Sequence, residues 1–332
     1  MKKLVAGIDI GGNHTACALV DESGKIYASS KFKTTDFHTF DSFVVKIKDT
    51  ITELVNGMDL EYMPEVIGIG APNGNYYTGE IENATNLAWK GKLPLAEKLS
   101  NLFDGTKVIV TNDANAAAIG EMMYGNAGDF KDFVVITLDA GLGSGIVIDG
   151  NIVYGHDGFA GELGHITITK EQKRQCGCGR YGCLETYASV KGIKRTVTEL
   201  LGNCSSSSLA EIASKNELTV EQIITAAKQG DKTALKAFEI TGTILGESIA
   251  NLVAILSPEA VLFVGELSKA GDLLLTHVHK AMEQNLMPLW KGKIKLGTSA
   301  IDSELAPVLG AAALAIKELQ KKYAFFERRK VI

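Results

Sequence analysis

One local design occurs twice in this chain and limits what it can fold into. Leu4–Ile10 is a short, apolar, β-branched run; Gly11-Gly12 interrupts it, and a second apolar run follows over Thr15–Val20. Farther on, Phe133–Leu138 and Gly145–Asp149 flank the glycine-rich stretch Asp139-Ala-Gly-Leu-Gly-Ser-Gly145. Short apolar runs separated by glycine turns read as paired strands. A repeat of such a unit predicts an internally duplicated α/β chain, and 332 residues suit two lobes better than one core.

The intervening pattern fills out both lobes. After the turn Asp21-Glu-Ser-Gly24, the order reads as a strand over Lys25–Lys33, a helix over Phe40–Val55, a strand over Val66–Ala71, a helix over Leu93–Phe103 and a strand over Val108–Thr111. A helix is predicted to start at Asn112-Asp113, where a side-chain acceptor can cap free N–H groups ahead of the Ala-rich Ala114–Met123. Ser189–Pro258 is mostly helical in pattern. Ala260–Val264 then reads as a strand, Leu273–Gln284 as a helix, Ile294–Ser299 as a strand and Val308–Lys321 as a closing helix, with Ser205–Ser208 an exposed loop.

Composition excludes some classes. With 45% hydrophobic and 22% charged residues, the chain matches ordinary globular α/β proteins rather than disordered ones. Its net charge is -5, and its one dense basic cluster is the terminal Glu327-Arg-Arg-Lys330, so the cationic surface that nucleic acid needs is missing. The sequence carries no uninterrupted apolar run of the roughly 18 residues expected of a membrane span and no signal-peptide pattern near Lys2-Lys3. The expected setting is cytoplasmic, with no membrane partner.

Of five cysteines, three crowd into Cys176-Gly-Cys178-Gly-Arg-Tyr-Gly-Cys183, whereas Cys17 and Cys204 stand alone. An odd count with one tight cluster favours metal over disulfides. With His165 of Gly161-Glu-Leu-Gly-His165, the three thiolates complete a closed tetrahedral zinc set. Four protein ligands leave no open position, so the expected zinc is structural and pins the loop carrying Glu162, His165 and Glu185. Free thiols or a redox pair are the alternative.

The two glycine turns let backbone N–H groups approach phosphate oxygens, although either alone is equally a plain tight turn. Neither is a Gly-x-x-x-x-Gly-Lys-Ser/Thr loop, and no Rossmann fingerprint opens a βαβ unit. Asp113, at a strand-to-helix junction, can act as a general base toward a hydroxyl that attacks phosphorus, or simply as a helix cap.

Taken with Gly7–Gly12, Gly68–Pro72, Asn86-Leu-Ala-Trp89, Asn112–Asn115 and Leu309-Gly-Ala-Ala312, the pair Gly161–His165 and Cys176–Glu185 resembles the signature of the ROK family of repressors, open reading frames and sugar kinases. The resemblance implies an actin-like ATPase (ribonuclease H-like) duplicated fold of the hexokinase type. It implies a small lobe of residues 1–112 plus about 308–332, a large lobe of residues 113–307 with the zinc loop, and an interlobe cleft. It further implies ATP-dependent phosphorylation of a hexose hydroxyl, such as the 6-hydroxyl of glucose, by a homodimer. Asp113 would be the catalytic base. Asn86, Asn112, Glu162, His165 and Glu185 would bind the sugar with it, and His165, Cys176, Cys178 and Cys183 would hold zinc. Asp9, Gly11, Gly12, Asn13, Gly141, Gly143 and Gly265 would serve ATP and its Mg²⁺.

The nucleotide side departs from the family pattern. Gly11-Gly-Asn13-His14 replaces the usual Gly-Gly-Thr-Lys or Gly-Gly-Thr-Asn, Asp139-Ala140-Gly141 replaces Gly-Thr-Gly, and Val264-Gly-Glu266 replaces Gly-Gly-Gly. A carboxylate now stands where ATP's negative charge is expected. Two readings follow: a kinase with altered nucleotide use, or a sugar-binding member without phosphoryl transfer. A repressor is a third, disfavoured because the first strand starts at Leu4 with no helix-turn-helix ahead of it.

Overall fold

The computed structural model describes residues 4–58, 63–169, 174–202, 207–215, 217–302 and 304–330, the last nine as helical backbone alone. Cys204, Ser205 and Ser206, and the side chains of the terminal basic cluster, lie outside the described residues.

The elements run β1 (Leu4–Ile10), β2 (His14–Asp21), β3 (Ile26–Lys33), α1 (Phe40–Asn56), β4 (Val66–Ala71), β5 (Ile81–Glu82), β6 (Lys92–Leu93), α2 (Leu95–Leu102), β7 (Lys107–Asn112) and α3 (Asp113–Tyr124). They continue with β8 (Phe133–Leu138), β9 (Leu142–Ile148), β10 (Asn151–Ile152), α4 (Val190–Leu201), α5 (Ala210–Ser214), α6 (Val220–Lys228), α7 (Lys232–Leu256), β11 (Ala260–Val264), α8 (Asp272–Asn285), β12 (Lys295–Thr298) and α9 (Ala306–Lys330). Two five-stranded sheets form, ordered β3-β2-β1-β4-β7 and β10-β9-β8-β11-β12. The centres of the two sheets are alike: β1 runs antiparallel to β2 and parallel to β4, and β8, beside β9, runs parallel to β11. The duplication read from the sequence is therefore a duplication of sheets.

The chain groups into two compact units, one comprising Met1–Asp129, Gly145–Gly161 and Ala300–Ile332, the other Phe130–Ser144 and Glu162–Ser299. In the first, β1 reads as a continuous apolar run because both of its faces are covered. Ala6, Ile8 and Ile10 join Phe43, Ile47 and Ile51 of α1 on one side, while Val5 joins Val308, Ala312 and Ile316 of α9 on the other. Alternation along the strand separates the two cores. Helix α9 lies so close that a Cβ on Gly68 would stand 2.0 Å from the Ala311 carbonyl, and one on Gly310 would stand 2.4 Å from the Ala116 carbonyl of α3. These glycines are required by helix-on-sheet and helix-on-helix approach.

In the second unit, Asp231 caps α7 by accepting from the Thr233 and Ala234 N–H groups, and it also holds Ser207 and Ser208 of the expected loop. By length and composition α7 could span a membrane, the one such helix among the described residues; half of its most apolar window is buried. Two local expectations shift. The helix expected from Leu93 begins at Leu95, because Pro94 sets the boundary and Leu93 pairs in β6. Strand β9 begins at Leu142 rather than Gly145, so more than half of the glycine-rich stretch is strand.

Candidate functional site

In the first unit, parallel pairing puts the carboxyl ends of β1, β4 and β7 along one sheet edge: Asp9 pairs with Gly70, and Ala71 with Asn112. Loops at such edges are where open α/β sheets bind ligands. Asp9, Gly11, Gly12, Asn13, Asn112 and Asp113 all stand there. Asn86 joins them, since a Cβ on Gly12 would lie 2.8 Å from the Asn86 carbonyl. The Asn86 loop is held by two residues the sequence reading left unassigned or only quoted. Lys90 donates to the carbonyls of Ala84 and Leu87 at 2.8 and 2.7 Å, and buried Trp89 packs on Phe43 with ring centroids 4.5 Å apart.

Asn112 is the N-cap of α3, accepting the Ala114 N–H at 2.9 Å. Asp113 is the first helical residue; its Oδ1 accepts the same N–H at 2.8 Å, and the residue is exposed. Asn112 and Asp113 thus share the same N–H at the start of the helix. A carboxylate at a helix start is also favoured as an anion by the helix dipole.

The first glycine turn is braced from behind. Gly11 donates to the His14 carbonyl at 2.9 Å, while Thr34 donates through Oγ1 to the Gly11 carbonyl at 2.8 Å and through N–H to Asn13 at 2.9 Å. Thr34 gave no sequence signal, lying two strands beyond the motif. Burial and the charge of Asp9 push the Cys17 thiol up to about 12, leaving it an inert core group. Asn75 is buried: its amide donates to Glu82 Oε1 at 2.9 Å and the Asp157 carbonyl at 2.8 Å.

In the second unit the metal set assembles as expected from its spacing. The donor atoms of His165, Cys176, Cys178 and Cys183 all lie within 4.8 Å of one another, with Cys178 and Cys183 sulfurs 3.7 Å apart and Cys176 Sγ 3.7 Å from His165 Nδ1. A disulfide would need about 2.05 Å, whereas sulfurs around tetrahedral zinc at about 2.3 Å stand about 3.8 Å apart. The donors therefore fit zinc. Burial opposes the Cys178 thiolate, but the Arg180 backbone and guanidinium and the adjoining thiols outweigh it and bring it down to about 6; Cys176, by contrast, is pushed up to about 12, mainly by burial. The cluster holds one ready thiolate, and a bound cation would favour the others.

Around the cluster, His165 turns Nδ1 to the sulfurs and Nε2 toward Glu162, 3.8 Å from its carboxylate. Glu185 reaches two ways, placing one oxygen 3.5 Å from Cys176 Sγ and the other 3.1 Å from the Leu142 N–H that it accepts. The loop is anchored by Arg174, a buried residue that no motif flagged. Its guanidinium donates to the Thr186 carbonyl at 2.7 Å, the Gly192 carbonyl at 3.1 Å and Thr196 Oγ1 at 2.9 Å, and also pairs with Glu199.

Strands β8 and β11 end side by side, with Thr137 paired to Val264. The second glycine turn follows β8, and Gly265-Glu266 follows β11. Within that turn Asp139 N–H donates to the Gly141 carbonyl, Leu142 N–H to Glu185 and Gly143 N–H to Thr137 Oγ1 at 3.0 Å. Three of its N–H groups are engaged inside the chain.

The ROK family model matches residues 5–318. A glucokinase of Halalkalibacterium halodurans is 38% identical over 287 residues, covering 85% of this chain and 86% of its own. A xylose repressor of Caldicellulosiruptor bescii is 33% identical over 254 residues, 76% of this chain and 63% of the repressor. Among solved structures, a ROK family glucokinase of Streptomyces griseus in complex with glucose and AMPPNP superposes with a TM-score of 0.80 at 31% identity, covering 95% of this chain and 99% of its own. The matches span both sheets, the Asp113 helix and the His/Cys cluster, and the chain belongs to the ROK family.

Proposed function

We propose that this chain is an ATP-dependent hexose kinase of the glucokinase type, with Asp113 as its general base and the 6-hydroxyl of glucose or a related hexose as acceptor. The observation that carries the assignment is the placement of Asp113, an exposed carboxylate at the start of α3, on the sheet edge that also holds Asp9, Gly12 and Asn112. Likeness to a glucokinase solved with glucose and AMPPNP supports the substrate pair.

In the proposed step the sugar hydroxyl gives its proton to Asp113, its oxygen bonds to the γ-phosphorus, and the bond from that phosphorus to the bridging oxygen breaks as ADP leaves. Asn86, Asn112, Glu162, His165 and Glu185 would pair with the remaining hydroxyls, since amides and carboxylates reject analogues lacking a hydroxyl. Asp9 would hold ATP's Mg²⁺ through its water shell. Zinc, when bound by His165 and the three cysteines, would fix the loop and take no part in transfer.

A coupled assay of purified protein with Mg-ATP and a hexose panel tests the reading. Asp113→Ala should lower turnover by about 10² to 10⁴ while sugar affinity stays within about tenfold. Retained turnover would reassign the base. The second reading, sugar binding without transfer, is favoured by Asp139, which places a carboxylate in the second glycine turn; sugar binding with no turnover and no nucleotide binding would select it.

A further inference from the structure

Asp139 sits at the carboxyl end of β8, next to the loop that ends β11, a sheet position suited to a ligand. Its backbone is fixed on both sides, by its own N–H to the Gly141 carbonyl at 3.1 Å and by the Val190 N–H to its carbonyl at 2.9 Å. Its carboxylate crosses to the neighbouring loop, where Oδ1 accepts the Glu266 N–H at 2.7 Å. Gly265, at φ +97°, is folded against it, so that a Cβ there would stand 2.6 Å from the carboxylate. A second carboxylate, from Glu185, takes the Leu142 N–H three residues along the same turn.

Backbone N–H groups beside a glycine in the left-handed region are what a phosphate oxygen seeks. Here one of them already has an anion, supplied by the chain and held by a short charge-assisted bond. We propose that Asp139 is a built-in anion that competes with the nucleotide's phosphates for the Gly265-Glu266 loop, making it a specificity-determining residue that weakens donor binding. Asp139 takes this role only if the chain uses a nucleotide, as proposed above. An incoming phosphate must either displace the carboxylate from the Glu266 N–H or bind beside a like charge, and both lower its affinity.

The test is calorimetric titration of wild type, Asp139→Gly and Asp139→Asn with Mg-ATP and, separately, with glucose. Asp139→Gly should bind Mg-ATP at least about tenfold more tightly, Asp139→Asn more tightly by a smaller factor, and glucose affinity should stay the same. Should the glycine variant not fold, Asp139→Asn alone decides, because it keeps the side chain's shape and removes its charge. Unchanged, weaker or undetectable Mg-ATP binding in a folded, glucose-binding variant overturns the inference. Tighter binding without phosphorylation of any hexose would uphold it while sinking the kinase reading.

Discussion

The candidate residues of the first unit stand on a sheet, while those of the second stand on a loop. Asp9 and Asn112 occupy ends of parallel strands whose register is set by a two-sided apolar core, and Asp113 starts a helix packed on that core. Glu162, His165 and Glu185 belong to irregular backbone and short 3₁₀ turns, placed by a thiol and imidazole cluster and by one buried arginine. A sheet positions side chains through many small apolar contacts, whereas a loop needs a few strong polar or metal bonds to do the same work. The two regions should accordingly fail differently when disturbed.

The largest effect is expected from Gly68→Val in the first unit. With a Cβ forced to 2.0 Å from the Ala311 carbonyl, α9 must lift from β4, at a cost of about 3 kcal/mol or more. Urea unfolding would measure it, and the folded fraction should keep its full complement of about one zinc per chain. Cys178→Ser comes next: zinc affinity should fall by more than about 100-fold and stability by about 2 kcal/mol. A protein that is metal-free and equally stable would remove the loop's side of the comparison. Arg174→Met should be milder, costing about 1 to 2 kcal/mol because the Thr186 and Gly192 carbonyls lose their donor, with zinc content unchanged. If it also released zinc, Arg174 would belong to the metal site's support rather than to the loop's anchoring on α4.

These differences track what was readable beforehand. The strands and helices of both sheets announce themselves as β-branched runs and helical spacing, and Cys176-x-Cys178 with Cys183 and His165 marks its cluster through spacing alone. Thr34, Lys90 and Arg174 do not, because each acts by hydrogen bonds to main-chain carbonyls, and any residue in the receiving position offers the same acceptor. Glycine carried the most ambiguous signal. Gly145 reads as part of a phosphate turn, yet a Cβ there would stand 2.5 Å from the Ala114 carbonyl, so packing against α3 already requires it. The carboxylate of Asp139 was visible as a departure from pattern, but its bond to Glu266 joins positions 127 residues apart that only folding brings together.

The placement of α9 has a consequence for how the chain is made. Strands β1 and β4 leave the ribosome long before α9, the helix that covers one of their faces. Until α9 emerges, Val5, Val66 and the surrounding apolar surface stay open to water and to chaperones, while β8, β11 and the helices between them can already settle on one another. A core begun early in synthesis is therefore completed only by a helix made much later.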